Sequence, residues 1–87
     1  MKNKLPKWFK GEHYPKGDIV KNPFTGESYE LSCTELSMYD FIKGAEYTIH
    51  VKGGIFSEES SIIQREMAKG LDWFRKNNAK AYMVLLD

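Results

Sequence analysis

The alternation of polar and apolar residues between positions 18 and 31 predicts a β-hairpin. Asp18 to Lys21 is a short β-branched run, and Ser28 to Leu31 alternates so that one face points to a core. Residues 22–27 between them read NPFTGE, in which Asn opens a turn, Pro fixes φ and Gly26 supplies a positive φ. Because an isolated hairpin is marginally stable in water, helices are expected to cover it.

An amphipathic helix is predicted over residues 33–51. Ser32 and Glu35 fit the capping box that starts a helix, with Ser at the N-cap and Glu three residues later. Its apolar face recurs at spacings of three and four, at Leu36, Tyr39, Ile42, Ala45 and Ile49. Gly44 costs about 1 kcal/mol relative to Ala in a helix, so we expect it to mark a close contact with another helix.

A second amphipathic helix is predicted over residues 58–77, with Ser57 as its N-cap. Its apolar stripe comprises Ile63, Met67, Leu71 and Phe74. Residues 79–86 could form either a buried strand or a short helix, since periodicity does not separate the two. We favour a helix, because Asn78 is a good N-cap and helix formers follow it.

Residues 1–17 predict an irregular N-terminal arm. Pro6, Gly11, Pro15 and Gly17 interrupt this segment too often for a long element, and its aromatic side chains are expected to fold back onto the domain. The fold class is therefore α+β, a single small domain over 1–87. An N-terminal arm and a β-hairpin pack on two amphipathic helices, followed by a short C-terminal helix.

Composition and charge narrow the class of protein. The 87 residues carry a net charge of +1 and are 14% aromatic, which makes disorder improbable. One cysteine in a chain this short is typical of a reducing compartment. No apolar run approaches the roughly 20 residues that span a bilayer, and no apolar region follows the basic start as it would in a signal peptide. We expect a cytoplasmic protein without a membrane partner.

Three stretches carry a resemblance to a known group of proteins. They are Leu5 to Phe9, the run from Asn22 through Glu27 to Leu36–Ile42, and the tail from Gly70 to Asp87. Together they resemble short uncharacterised proteins of marine bacteriophages, cyanophages among them. The resemblance implies a phage-encoded protein that works in a bacterial cytoplasm, and it implies no activity.

The residues offer little for catalysis or metal binding. His13, Cys33 and His50 are the only soft ligands, and no pair has a zinc-ligand spacing. Cys33 starts a helix, where the dipole favours a thiolate, but Glu35 nearby opposes that charge. Gly53-Gly54 lacks the pattern of a phosphate-binding loop. We therefore predict no catalytic residue, no metal and no cofactor, and a non-enzymatic function.

A protein-interaction surface is the favoured functional hypothesis. Several apolar side chains exceed what a two-helix core can easily bury, namely Phe24, Trp73, Tyr82, Met83 and Leu86. Tyr, Trp, Phe and Met are also enriched at protein interfaces. The chain is thus expected to bind a protein, with self-association into a homo-oligomer as one form. The open alternative is that these side chains all fill a single core.

Nucleic-acid binding is the second functional hypothesis. Lysines that neutralise phosphates alternate with aromatics that could stack on bases in the arm, at Lys2, Lys4, Lys7, Trp8 and Lys10. The charge is uneven, at +4 over residues 1–21, −5 over 22–63 and +2 over 64–87. The domain as a whole is nearly neutral, which ranks this hypothesis below protein binding. The alternative is a solubilised arm whose aromatics pack on the hairpin.

Overall fold

A computed structural model of the protein describes residues 4–51 and 58–86, of which the side chains of 58–60 are excepted. The elements in chain order are β1 (Asp18–Lys21), β2 (Ser28–Leu31), α1 (Cys33–Val51), α2 (Glu58–Asn77) and α3 (Ala79–Leu85). This confirms the α+β prediction with its hairpin and short C-terminal helix. The predicted cap at Ser57 and the predicted helix end at Gly53-Gly54 lie outside the described residues.

The hairpin has the predicted strands and turn. Strands β1 and β2 are antiparallel, with Val20 opposite Tyr29 and Asp18 opposite Leu31. Leu31 is buried and Tyr29 is half-buried, whereas Glu30 between them is exposed, which is the alternation expected of a strand with one face on a core. Gly26 has a φ of 81°, a left-handed conformation that only glycine adopts without strain.

Two helix caps are joined through one buried carboxylate. Ser32 and Glu35 form the predicted capping box: the Glu35 backbone N–H donates to Ser32 Oγ at 3.2 Å, and the Ser32 N–H donates to Glu35 Oε1 at 3.0 Å. Glu35 is only 7% exposed, and its Oε2 accepts a 2.9 Å hydrogen bond from Asn78 Nδ2. Asn78 is itself the N-cap of α3, where its Oδ1 accepts from the Ala81 N–H at 3.1 Å.

The core lies where the N-terminal half of α1 meets the C-terminal half of α2. Its buried members are Phe9, Leu31, Met38, Ile42, Phe74, Ala81 and Leu85. Met38, which is not part of the spacing of Leu36, Tyr39, Ile42, Ala45 and Ile49, is completely buried, whereas Leu36 and Tyr39 are half-buried. Several elements pack around this part of α1, so its buried face is broader than a stripe facing one helix.

The close contact between the helices falls at Gly70, so the prediction for Gly44 is wrong. A Cβ at Gly70 would lie 3.0 Å from Ile42 Cγ1 and 3.2 Å from Met38 Sδ, whereas a Cβ at Gly44 would meet open space. Gly44 is on the exposed side of α1. Each of the two long helices contains a glycine in its described part, and only the pairing of the helices distinguishes Gly44 from Gly70.

The N-terminal arm lies along the helix pair. Phe9 and Trp8 both pack against Phe41 of α1, at ring-centroid distances of 5.3 Å and 6.0 Å. The Trp73 indole N–H of α2 donates to the Lys4 carbonyl at 3.2 Å, and the Tyr14 N–H donates to the buried Ser37 hydroxyl at 2.9 Å. The aromatics do fold back onto the domain: the rings of Trp8 and Phe9 contact Phe41 of α1, and the buried Phe9 shares the core with Leu31 of the hairpin.

Gly17 and Gly44 make a matched pair for testing backbone packing. A Cβ at Gly17 would overlap the Leu31 carbonyl oxygen and lie 3.0 Å from Ser32 Cα, so Gly17→Ala should lower the free energy of unfolding by about 1–3 kcal/mol. Gly44→Ala meets no neighbour and should raise it by about 0.5–1 kcal/mol, because Ala is the better helix former. Urea denaturation of the two variants measures both changes. Equal effects of the two variants would contradict the close approach at Gly17.

The linkage of the two caps predicts an unusually large cost for Asn78→Ala. The substitution removes the α3 cap and a hydrogen bond to a buried carboxylate, so we expect a loss of about 2 kcal/mol in the free energy of unfolding. Asn77→Ala is the control, since Asn77 is exposed and donates only to the Trp73 carbonyl. Its effect should stay within about 0.5 kcal/mol. In a double-mutant cycle with Glu35→Ala, strict additivity would show that the Glu35–Asn78 bond does not couple the caps.

Candidate functional site

The hairpin turn is fixed by a single asparagine. Asn22 is buried; its N–H donates to the Glu27 carbonyl at 2.7 Å, and its carbonyl accepts from the Gly26 N–H at 2.8 Å. The side-chain Oδ1 accepts from the Phe24 N–H at 2.8 Å, an Asx-turn. The side-chain Nδ2 donates to the Val84 carbonyl of α3 at 2.9 Å. The turn is therefore both closed on itself and attached to the last turn of α3.

This attachment holds the turn that carries Phe24 beside the last turn of α3, which carries Met83. Phe24, in the turn, is 93% exposed, and Met83, next to Val84 in α3, is 66% exposed. Leu86, the C-cap of α3, is half-buried and packs against the core on one side. We call Phe24, Met83 and Leu86 the tip patch. It combines three of the five residues that the sequence nominated for protein interaction.

The other two nominated residues have structural contacts. Trp73 is half-buried, packs its ring at 6.1 Å from that of Phe74 and donates its indole N–H to Lys4. Tyr82 is half-buried and packs against the core. Trp73 lies against the arm rather than in the tip patch, because its contacts are with residues 4 and 74. The excess of apolar side chains singled out both residues, but it did not reveal these partners.

The nominated nucleic-acid contacts divide into exposed cations and a packed aromatic. Lys4, Lys7 and Lys10 are exposed, and Lys2 lies outside the described residues. Trp8 is half-buried, with Phe41 at 6.0 Å and Lys69 Nζ at 5.7 Å from its ring centroid. Because its ring already packs against Phe41 and a lysine, Trp8 is poorly placed to stack on a base.

Sequence reasoning missed an apolar groove between α1 and α2. It has a volume of about 340 Å³. Its walls are formed by Glu46, Ile49, Gln64, Met67, Ala68 and Leu71. A second groove of about 310 Å³, bordered by Glu12, Asp40 and Glu66, lies on another side of α1. The apolar spacing predicts which residues face the other helix, but not where the covering elements stop, so these openings have no signature in the sequence.

Asp40, which borders the second groove, also perturbs a tyrosine. Tyr14 is half-buried at the end of the arm. This partial burial raises the pKa of Tyr14, and the charge of Asp40 and a hydrogen bond to it raise that pKa further. Since the neutral phenol is the form that donates to a carboxylate, the contact holds the arm against α1 while Tyr14 is protonated.

Two kinds of site are absent from the part of the chain that the structure describes. Within it, no three His, Cys, Asp or Glu side chains are grouped closely enough to bind a metal ion. His13 is exposed and contacts Phe9 edge-on at 5.3 Å, His50 is exposed, and Cys33 is half-buried at the start of α1. None of the helices in the described residues combines the length and apolar character needed to cross a membrane.

Known proteins do not extend these observations. The chain matches no protein family, no curated protein and no solved structure. The resemblance to marine bacteriophage proteins therefore stays a prediction.

Titration of Tyr14 tests the contact between the arm and α1. We expect one tyrosine to ionise above the ordinary pKa of 10.0, and Tyr14→Phe should remove that transition from the tyrosinate absorbance. Asp40→Asn should lower the pKa only part of the way, because burial is the larger cause. The contribution to stability is complete below pH 10.0 and is lost as the pH rises through the higher folded-state pKa. An unchanged titration in Asp40→Asn would rule out the contact.

Proposed function

We propose that the chain is a small non-enzymatic module that binds a protein through the tip patch, with self-association as one form of that binding. The observation that supports this proposal is that Phe24 is an exposed aromatic side chain on a hydrogen-bonded turn. The side chain is 93% exposed, yet the backbone beneath it is held by the hydrogen bonds of Asn22 to Glu27, Phe24 and Val84. An aromatic anchor on a rigid support loses little conformational freedom on binding.

Exposure alone would not support a binding role, since single exposed apolar residues are common on soluble proteins. Ile19, Tyr47 and Ile62 are also exposed, and they supply the comparison. Phe24 differs because the buried Asn22 side chain closes its turn and bonds that turn to the last turn of α3, which carries the exposed Met83. Met is a flexible side chain suited to fitting irregular partner surfaces. Phe24 would act as an aromatic anchor in such an interface, and Met83 would adapt to the partner surface around it.

A non-enzymatic role is consistent with how the reactive side chains are used. Glu35 accepts hydrogen bonds that cap α1 and support α3, and Asp72 forms ion pairs with Arg75 and Lys76. Both carboxylates therefore stabilise the helices in which they lie. Binding at the tip patch requires no further chemistry.

Phe24→Ala should separate binding from folding. Because the side chain is exposed, the free energy of unfolding should change by less than about 0.5 kcal/mol. Binding should weaken by about 2 kcal/mol, or about 30-fold, if Phe24 is a hot spot. Sedimentation velocity over a concentration series measures self-association. Ile62→Ala, which removes an exposed apolar side chain from α2, is the control and should leave association unchanged.

A photo-crosslinking amino acid at position 24 tests binding to a different protein in bacterial cells, with the same group at position 62 as the control. Discrete adducts at position 24 that disappear in an Asn22→Ala background would support a rigidly presented anchor. A monomeric protein whose adducts do not differ between positions 24 and 62 would contradict the proposal.

A further inference from the structure

The structure brings basic side chains of α2 beside the N-terminal arm, although these two segments are far apart in sequence. Lys69 Nζ lies 5.7 Å from the ring centroid of Trp8, the residue that follows Lys7 in the arm. Four residues further along α2, the Trp73 indole N–H donates to the Lys4 carbonyl. Arg65 precedes Lys69 by four residues and so lies on the same side of the helix. We call Lys4, Lys7, Arg65 and Lys69 the basic face.

The charges of the basic face are not neutralised within the described structure. All four residues are exposed, and none of them forms an ion pair with another described residue. By contrast, Lys43 pairs with Glu46, and Arg75 and Lys76 both pair with Asp72. The described acids nearest to Arg65 and Lys69 along α2 are Glu66, which borders the second groove, and Asp72, which pairs with Arg75 and Lys76.

The geometry of the face matches a linear polyanion. Arg65, Lys69 and Trp73 follow one another at intervals of four residues, which spans about 12 Å along the helix axis. The arm runs beside this row, held at Lys4 and Trp8. Lysine and arginine side chains in two adjacent rows can contact successive phosphates of a strand, and such contacts carry no sequence information.

From this arrangement we infer that the basic face binds the phosphate backbone of nucleic acid without sequence preference. Base stacking plays no part, because the Trp8 ring packs between Phe41 and Lys69 and Phe9 is buried. The inference involves a different surface from the tip patch. The two can therefore fail separately, and Phe24→Ala should bind nucleic acid as the unmodified protein does.

Fluorescence anisotropy with a labelled single-stranded DNA of mixed sequence tests the inference. Non-specific complexes of this kind have dissociation constants of about 10⁻⁴–10⁻⁶ M. Four phosphate contacts predict that log K falls with log salt concentration at a slope of about −3. Changing Lys4, Lys7, Arg65 and Lys69 together to Gln should weaken binding at least about tenfold at low salt and flatten this slope toward zero.

The control variant has the same net charge as the variant that lacks the basic face, but it keeps all four residues of that face. Changing Lys16, Lys21, Lys43 and Lys80 to Gln removes four other lysines of the chain, and it should retain most of the affinity. If both variants lose binding equally, overall charge and not the basic face is responsible, and the inference is wrong. It is also overturned if the unmodified protein does not bind DNA at low salt, or if it binds only anionic lipid vesicles or polyglutamate.

The four-Gln variant loses the Lys69–Trp8 contact, which could detach the arm from α2. A second variant therefore keeps this contact. Changing only Lys4, Lys7 and Arg65 to Gln leaves Lys69 over the Trp8 ring and should leave a salt slope of about −0.7. Circular dichroism checks that the helices are retained. A slope still near that of the unmodified protein would show that the phosphates contact other residues, which contradicts the inference.

Discussion

The buried carboxylate of Glu35 is the interaction on which the arrangement of the elements depends. A charge with so little solvent exposure is tolerated only when hydrogen bonds compensate for the lost hydration. Ser32 supplies one from the start of α1, and Asn78 supplies another from the corner between α2 and α3. Since residue 78 both follows α2 and caps α3, this one side chain relates all three helices. The hairpin, which leads directly into Ser32, is oriented by the same cap.

Asn22 has the corresponding role at the other end of α3. Its side chain closes the hairpin turn and also binds the Val84 carbonyl. The short helix α3 is therefore held at its first residue by Asn78 and near its last by Asn22. A seven-residue helix is too short to be stable by itself, so these two amides and the burial of Ala81 and Leu85 keep it in place. The tip patch has a fixed geometry because α3 does.

Two surfaces with different chemistry result from how the helix pair is covered. The hairpin and α3 cover one side of α1 and α2 and end in apolar side chains, Phe24 and Met83. The arm covers another side and adds its lysines to those of α2. Between the covering elements, the grooves beside Ile49 and Phe41 remain open. The proposed protein contact and the inferred phosphate contact therefore belong to separate elements of the chain.

Local sequence determined most elements of the fold. The capping box at Ser32 and Glu35, the Asn-Pro-x-x-Gly turn and the Asn78 cap act over a few residues, so their structures could be predicted from spacing alone. Tertiary structure decided which glycine the helices share, that Trp8 packs on α1, and that Asn78 meets Glu35. It also brought Lys69 to Trp8 and the hairpin turn to the last turn of α3. These outcomes depend on contacts between residues about 30 to 60 positions apart, for which the order of residues along one chain holds no local pattern.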